Sequence, residues 1–254
     1  YIVAGINSDS SAITTESLNK LKVYAVKGNE EVELDNTQYS LVAVTDSARN
    51  ALSVSTVVDY SGSMGKQDID EISSLFLQIS NHLLSLAKIS VVHFSKDLDL
   101  RQEFSTDRTA IEKALQYNET IKRGSTSLYD AMGQSVSSLS KGGAAGRVLI
   151  VATDGHENSS KQYSKEKLKT EISSDKRLVV LMIGTFLADA KEMREIAGER
   201  GAFVYANTIS KARRKAIEFS KAINQGVEVK LSTPLSDVTE VRFKTDDLSV
   251  SVKL

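Results

Sequence analysis

Residues 52–64 read Leu52-Ser53-Val54-Ser55-Thr56-Val57-Val58-Asp59-Tyr60-Ser61-Gly62-Ser63-Met64. The run as far as Val58 is rich in β-branched residues, as a strand requires, and it ends on an acid. A helical stretch follows from about Lys66 to Leu86, with Ile69, Ile72, Leu75, Phe76, Ile79, Leu83 and Leu84 stepping by three and four and therefore lying on one face.

Downstream the same alternation continues. A strand is predicted near Ile89–Phe104 in two halves, Ile89–Phe94 and its partner Leu98–Phe104, followed by a helix near Thr109–Gln116 that Thr106-Asp107 announces. Another helix begins near Thr126 and carries Leu128, Ala131, Met132, Val136 and Leu139. Val148-Leu149-Ile150-Val151-Ala152 is near-continuously apolar, the mark of a strand buried on both faces of a parallel sheet. Helix 164–173, strand 178–183, helix 189–199, strand 203–206 and a last helix at 209–224 complete the series. Strands alternating with helices imply βαβ units, hence an α/β fold: a doubly wound, mostly parallel sheet with helices on both faces, over residues 52–224.

Both ends of the chain read differently. Residues 1–20 are rich in Ser, Thr and Asn and read as a linker or arm. Lys22–Lys27, Glu31–Leu34 and Ser40–Val44, and then Val227–Leu231, Val238–Phe243 and Leu248–Leu254, are short strands with turns between them. Isolated hairpins are marginal in water, so the strands of the two ends are expected to complete each other as one discontinuous β-sandwich-like domain, 21–51 with 226–254. The sole proline, Pro234, falls between two of these strands, where its missing N–H costs least.

Composition bounds the chemistry. The 254 residues are 41% hydrophobic and 26% charged, ordinary globular values. A net charge of −1 offers no field for nucleic acid, and the basic cluster Arg213-Arg214-Lys215 reads as a solvated helix face. With no cysteine there is no disulfide, thiolate metal site or thiol nucleophile. No stretch approaches the roughly 18 apolar residues of a membrane helix.

Asp59 leaves the first core strand and Asp154 the buried run that ends at Thr153. In an open parallel sheet such residues converge on the crevice at the carboxyl ends of the strands. Two acids brought together repel, and one pKa rises unless a cation intervenes. Ser61 and Ser63 put hydroxyls at every second position after Asp59, and Gly124-Ser125-Thr126-Ser127 puts hydroxyls at a helix start. Oxygen ligands without nitrogen or sulfur suit Mg²⁺, Mn²⁺ or Ca²⁺.

Asp-x-Ser-x-Ser after the first strand, Gly-Ser-Thr at a middle helix and Thr-Asp-Gly after a later strand together resemble the metal-ion-dependent adhesion site (MIDAS) of von Willebrand factor type A domains, over about residues 52–224. The resemblance implies that Asp59, Ser61, Ser63, Thr126 and Asp154 are cation ligands, some direct and some through water. It also implies a mostly parallel sheet with one short antiparallel edge strand, which fits the 89–104 hairpin. The function it implies is divalent-cation-dependent binding of a protein partner, with Mg²⁺ the first expectation and Ca²⁺ or Mn²⁺ the others. Two carboxylates balance the ion and weak hydroxyl donors leave it electrophilic, so a partner's Glu or Asp can displace a water. No bond is made or broken, and no nucleic acid is expected as partner.

Plainer readings exist for each piece. Asp-x-Ser alone serves as a helix N-cap, and Thr-Asp-Gly alone is an ordinary turn; their combination in order decides for the site. His156 reads as an exposed loop histidine, His93 as packed beside the sheet edge and His82 as the polar shoulder of the long helix. Lys161–Lys169 and Lys191–Arg200 read as solvated faces. Tyr60, Met64, Arg123, Leu128 and His156 are the loop residues expected around the site. The competing class is a Mg²⁺-dependent phosphatase or phosphotransferase with Asp59 as nucleophile, but Ser61 stands where such enzymes carry a second acid. Serine-hydrolase and phosphate-loop motifs are missing. Within the binding class, the β domain and the absent initiator Met favour an extracellular, cell-surface or periplasmic module over an intracellular scaffold of an ATPase or stress complex.

Overall fold

The computed structural model of the chain describes residues 2–3, 20–43, 52–83, 87–121, 123–144, 146–185, 187–198, 201–224, 227–232, 237–244 and 249–253. In chain order its elements are β1 (Ile2–Val3), β2 (Lys22–Lys27), β3 (Glu30–Glu33), β4 (Tyr39–Ala43), β5 (Leu52–Asp59), α1 (Lys66–His82), β6 (Lys88–Phe94), β7 (Leu98–Ser105), α2 (Arg108–Leu115), α3 (Leu128–Lys141), β8 (Gly146–Thr153), α4 (Lys165–Ser174), β9 (Leu178–Gly184), α5 (Ala190–Ala197), β10 (Ala202–Tyr205), α6 (Ile209–Asn224), β11 (Val227–Leu231), β12 (Glu240–Lys244) and β13 (Ser249–Lys253). They form two compact units, Ala48–Ile217 and Tyr1–Ser47 with Glu218–Leu254.

In the larger unit six strands run in the order β10-β9-β8-β5-β6-β7. All neighbours are parallel except β6 and β7. Every residue of β5, β8 and β9 is buried, which is why their sequences lack a polar alternation. Val57, Leu149, Val151, Val180 and Met182 from the sheet share one core with Leu128, Met132, Val136 and Leu139 of α3, Leu168 and Ile172 of α4, and Met193 and Ile196 of α5. Side chains alternate across a strand, so Val54 and Val58, buried outside that cluster, face the other layer, where α1 buries Ile69, Ile72, Leu75, Phe76 and Ile79.

The topology decides where a ligand can sit. From β5 the chain moves outward to β6 and β7, then returns to the other side of β5 with β8 and proceeds to β9 and β10. The order reverses between β5 and β8, and the crevice at a reversal lies off the carboxyl ends of those two strands. Val58 lies beside Ala152 in register, so Asp59 and Thr153 end the two strands level with each other.

The smaller unit holds two antiparallel sheets, β1-β11-β4 and β13-β12-β2-β3. Leu21, Val23, Ala25, Leu34, Val241 and Phe243 pack with Tyr39 of β4, so strands from both sheets share one core. This is the sandwich-like companion expected from the two termini.

Some readings need correction. Within the stretch read as linker or arm, Ile2–Val3 pairs antiparallel with Val227 and Glu228, while residues 4–19 lie outside the described residues, as does Pro234. The long helix stops at His82, with Leu83 already extended at φ −74 and ψ 156. The middle helix begins at Leu128, leaving Thr126 before it and Ser127 at the N-cap, and β12 begins at Glu240 instead of Val238. In the long helix and in β12 an apolar residue, Leu83 and Val238 respectively, lies beyond the point at which backbone hydrogen bonding changes.

Candidate metal centre

Asp59 is fully buried at the end of β5, and two groups hold its carboxylate. The backbone N–H of Ser61 donates to Oδ1 at 2.7 Å, closing an Asx turn, and the Thr153 hydroxyl donates to Oδ2 at 2.5 Å. Tyr60 N–H donates to Phe94 O at 2.6 Å, which extends the parallel pairing one residue beyond the strand. The chain then turns through Ser61–Gly65 into α1, where Asp68 Oδ2 accepts from Gly65 N–H at 2.9 Å.

The hydroxyls follow from that turn. Ser61 and Ser63 Oγ are 3.2 Å apart, and Ser63 Oγ donates to Asp154 Oδ1 at 2.8 Å. Thr126 arrives from the loop before α3. A methyl group built on Gly155 would stand 3.5 Å from Thr126 Oγ1 and 3.7 Å from Ser63 Oγ, so both hydroxyls border the space that the missing side chain leaves. Asp59, Ser61, Ser63, Thr126 and Asp154, 95 positions apart at the extremes, are thus gathered at the carboxyl ends of β5 and β8.

The electrostatics of the cluster are unbalanced. Burial pushes the Asp59 carboxyl up from 3.8 to about 6, against the Thr153 and Ser61 hydrogen bonds that lower it, and the charge of Asp154 adds to the rise. Asp154 is also raised, chiefly by burial, with Ser63 opposing. Two carboxylates raised chiefly by burial fit a divalent cation, which would offset the loss of water on both. The oxygen-only donor set and the open cradle at Gly155 fit the same group.

Beneath these residues lies a scaffold that pattern reading missed. Thr126 N–H donates to Asn158 Oδ1 at 2.9 Å, and the N–H groups of Asn158 and Ser159 donate to Thr126 O at 3.0 and 3.2 Å. Glu157 accepts from the N–H groups of Tyr129, Ser159 and Ser160 and from Ser160 Oγ. Asp130, 7% exposed, accepts from the N–H groups of Lys161, Gln162 and Tyr163 at 2.8, 2.9 and 2.9 Å. Gly62 N–H donates to Gly124 O at 2.8 Å, and Arg123 Nη2 donates to Ser61 O and Gly62 O at 3.2 Å each. The three loops are therefore tied to one another as well as to the strands.

Two of the five residues expected at the rim are there. Arg123 and His156 are exposed, but Tyr60, Met64 and Leu128 are buried and belong to the support. Tyr60 points inward and stacks on His93, with ring centroids 4.4 Å apart and Tyr117 at 5.9 Å beyond. The His93 ring is fully buried, and burial pushes its pKa down to about 3, so it is neutral. Side chains alternate about the strand end: Asp59 faces the crevice, so its neighbour Tyr60 turns into the core.

The model of the von Willebrand factor type A domain matches residues 53–218. Among solved structures, proximal thread matrix protein 1 from the mussel byssus, in a form with a zinc-occupied MIDAS motif, superposes with a TM-score of 0.60 at 16% identity, over 76% of this chain and 50% of that one. A von Willebrand factor type A protein from Catenulispora acidiphila superposes with a TM-score of 0.56 at 17% identity, over 80% of this chain and 49% of that one. The PilB minor pilin from Streptococcus sanguinis gives 0.53 at 16% identity, over 70% and 62%. This chain spans about half the length of the first two, and at these identities the likeness is one of fold. No curated protein sequence matches it. The family model covers well over half of the chain, on the α/β unit that carries the crevice, and the chain belongs to the von Willebrand factor type A domain family.

Proposed function

We propose that Asp59, Ser61, Ser63, Thr126 and Asp154 hold one divalent cation, Mg²⁺ before Ca²⁺ or Mn²⁺, and that the site binds a Glu or Asp carboxylate of a protein partner. The observation that carries this reading is the convergence of the five oxygen-bearing side chains, two of them buried carboxylates whose pKa values burial raises. When bound, the cation supplies an electrophilic position open to a partner's carboxylate. Asp59 and Asp154 provide the neutralising charge, and the Ser and Thr hydroxyls provide weak, uncharged donation that leaves the position competent. Ser63 and Gly62 are exposed at the opening, and Arg123, fixed against Ser61 O and Gly62 O, adds a positive charge at its lip. A positive lip suits an acidic partner.

The module assigned to this role is the type A domain, residues 52–224, with 21–51 and 226–254 as its companion domain. Binding, with no catalytic step, is its activity. Among the described residues no helix is long and apolar enough to cross a membrane. A byssal thread matrix protein and a minor pilin among the structural relatives support a site of action outside the cytoplasm.

Calorimetric titration with Mg²⁺ is expected to give one site per chain in the wild type. Substantial Mg²⁺-dependent hydrolysis of p-nitrophenyl phosphate that disappears in Asp59→Asn would contradict the binding role and favour the phosphatase reading. Cation affinity is also pH-dependent. Asp59 must be ionised to serve as ligand, and its carboxyl titrates at about 6, so Mg²⁺ affinity is level above pH 7 and falls roughly tenfold per unit below pH 6. Titrations at pH 5, 6 and 7.5 check the slope; a flat profile excludes Asp59 as a ligand.

Asn158→Ala tests the scaffold. It removes the acceptor for Thr126 N–H, and loss of an outer-shell partner typically costs 10- to 100-fold in metal affinity. Mg²⁺ binding is expected to weaken about tenfold with little change in fold. Equal affinity in variant and wild type would mean that Thr126 needs no such support.

A further inference from the structure

Beside the oxygen-only cluster stands a second group of ligating side chains that the proposed function does not use. His156, Asp189 and Glu192 each offer one ligand atom, and the three atoms lie within 4.8 Å of one another. They come from two elements: His156 from the loop after β8, two residues beyond Asp154, and Asp189 and Glu192 from the N-cap and first turn of α5.

Acids at a helix start have a ready explanation in capping and the helix dipole. Asp189 does cap α5, accepting from the N–H groups of Lys191 and Glu192 at 2.9 and 3.0 Å. Both of those bonds use Oδ1, which leaves Oδ2 for another partner. Capping does not explain why a ligand nitrogen from a separate loop joins the same group, nor why the Tyr129 hydroxyl donates to Glu192 Oε1, a bond that leaves Oε2 to another partner. A carboxylate steadied by a neighbouring donor is the usual outer support of a ligand. Glu192 is also short of positive charge: its carboxyl is raised, first by burial and then by Glu195.

We infer that His156, Asp189 and Glu192 form a second cation site, distinct from the crevice, which takes a transition metal such as Zn²⁺. The donor set decides the metal. One imidazole and two carboxylates favour Zn²⁺ over Mg²⁺ or Ca²⁺, and three protein ligands leave a fourth tetrahedral position for water. Ligands at about 2.0–2.2 Å from Zn²⁺ stand roughly 3.4 Å apart, so atoms that lie within 4.8 Å of one another must close by up to about 1.4 Å, within reach of side-chain rotations of His156 and Asp189. Occupancy ties the loop carrying Asp154 to α5, and thereby links the two sites through one short segment.

Because Zn²⁺ can also enter an oxygen-only site, the test is made where that site is disabled. Zinc titrated into Asp59→Asn should bind at one ion per chain, and adding His156→Ala or Glu192→Gln should weaken it at least tenfold while circular dichroism stays unchanged. The imidazole resonances of His156 should move on zinc addition and those of the exposed His82 should not. The same zinc titration of wild-type protein in a large excess of Mg²⁺ should show the same dependence on His156, which covers the case of a misfolded Asp59→Asn. No zinc uptake under either condition, or uptake indifferent to both substitutions, overturns the site. Neither result bears on Mg²⁺ binding in the wild type, which fails or stands separately.

Discussion

Asp59→Asn is expected to abolish Mg²⁺ binding in the crevice and, in the same molecule, to stabilise the cation-free protein. The two effects have one cause. Asn keeps the shape of the side chain: its Oδ1 still accepts from Ser61 N–H, and its amide can donate to Thr153 Oγ1, which donates to Asp59 in the wild type. What disappears is a buried negative charge beside Asp154. The Asp59 carboxyl titrates at about 6 when folded against 3.8 when free, a difference of about two units at 1.36 kcal/mol each, or about 3 kcal/mol. Because the folded value is the higher one, the favourable contribution is complete below pH 3.8 and is lost as pH rises to about 6. Above that the cation-free wild type bears the full cost and the variant does not. Urea unfolding in EDTA should therefore show Asp59→Asn more stable than wild type by about 1–3 kcal/mol at pH 7, with the two curves converging near pH 4. In Mg²⁺ the order reverses, since a ligand that binds only the native state stabilises only the protein able to hold it. A variant less stable than wild type in EDTA at pH 7 would mean that the carboxylate is already neutralised within the chain.

Asp130→Ala is expected to cost about 3 kcal/mol and to weaken Mg²⁺ binding about tenfold, although Asp130 is not among the proposed ligands. Its carboxylate accepts from three successive N–H groups, Lys161, Gln162 and Tyr163, and its own N–H donates to Ser160 Oγ. Removing the acceptor leaves donors without partners in a half-buried loop, and bonds to charged groups are worth roughly 1.5–3 kcal/mol each, part of which water recovers. The same loop carries Asn158 and Glu157, which hold the Thr126 segment and the start of α3. Chemical unfolding and calorimetry on one preparation measure both effects. A stability loss without any loss of affinity would show that the 156–163 loop supports the fold and not the site.

Much of the larger unit was legible in the sequence because its strands are buried on both faces. Val148–Ala152 and Leu178–Ile183 can be little else, and the acids that end β5 and follow β8 fall where the strand order reverses. The five proposed ligands were legible because each stands at such a strand or helix end. Their support was not. Thr153, Asp130, Glu157 and Asn158 act through partners 28 to 94 positions away, and each looks locally like a turn or helix residue. Tyr60, Met64 and Leu128 misled for a related reason: proximity to a ligand in sequence says little about direction, and the residue after a crevice-facing Asp turns to the core. At the termini, Ile2–Val3 hides in a polar arm because two residues carry no period; its pairing with β11 comes from the far end of the chain.

The most direct test of the site is diffraction from crystals soaked in Mn²⁺, whose anomalous signal marks the ion. One peak is expected among Asp59, Ser61, Ser63, Thr126 and Asp154, about 2.0–2.6 Å from its direct oxygen ligands and with a position open to solvent near Gly155. Density without an ion there, or an ion bound away from both Asp59 and Asp154, would contradict the assignment of this crevice as a cation-dependent binding site.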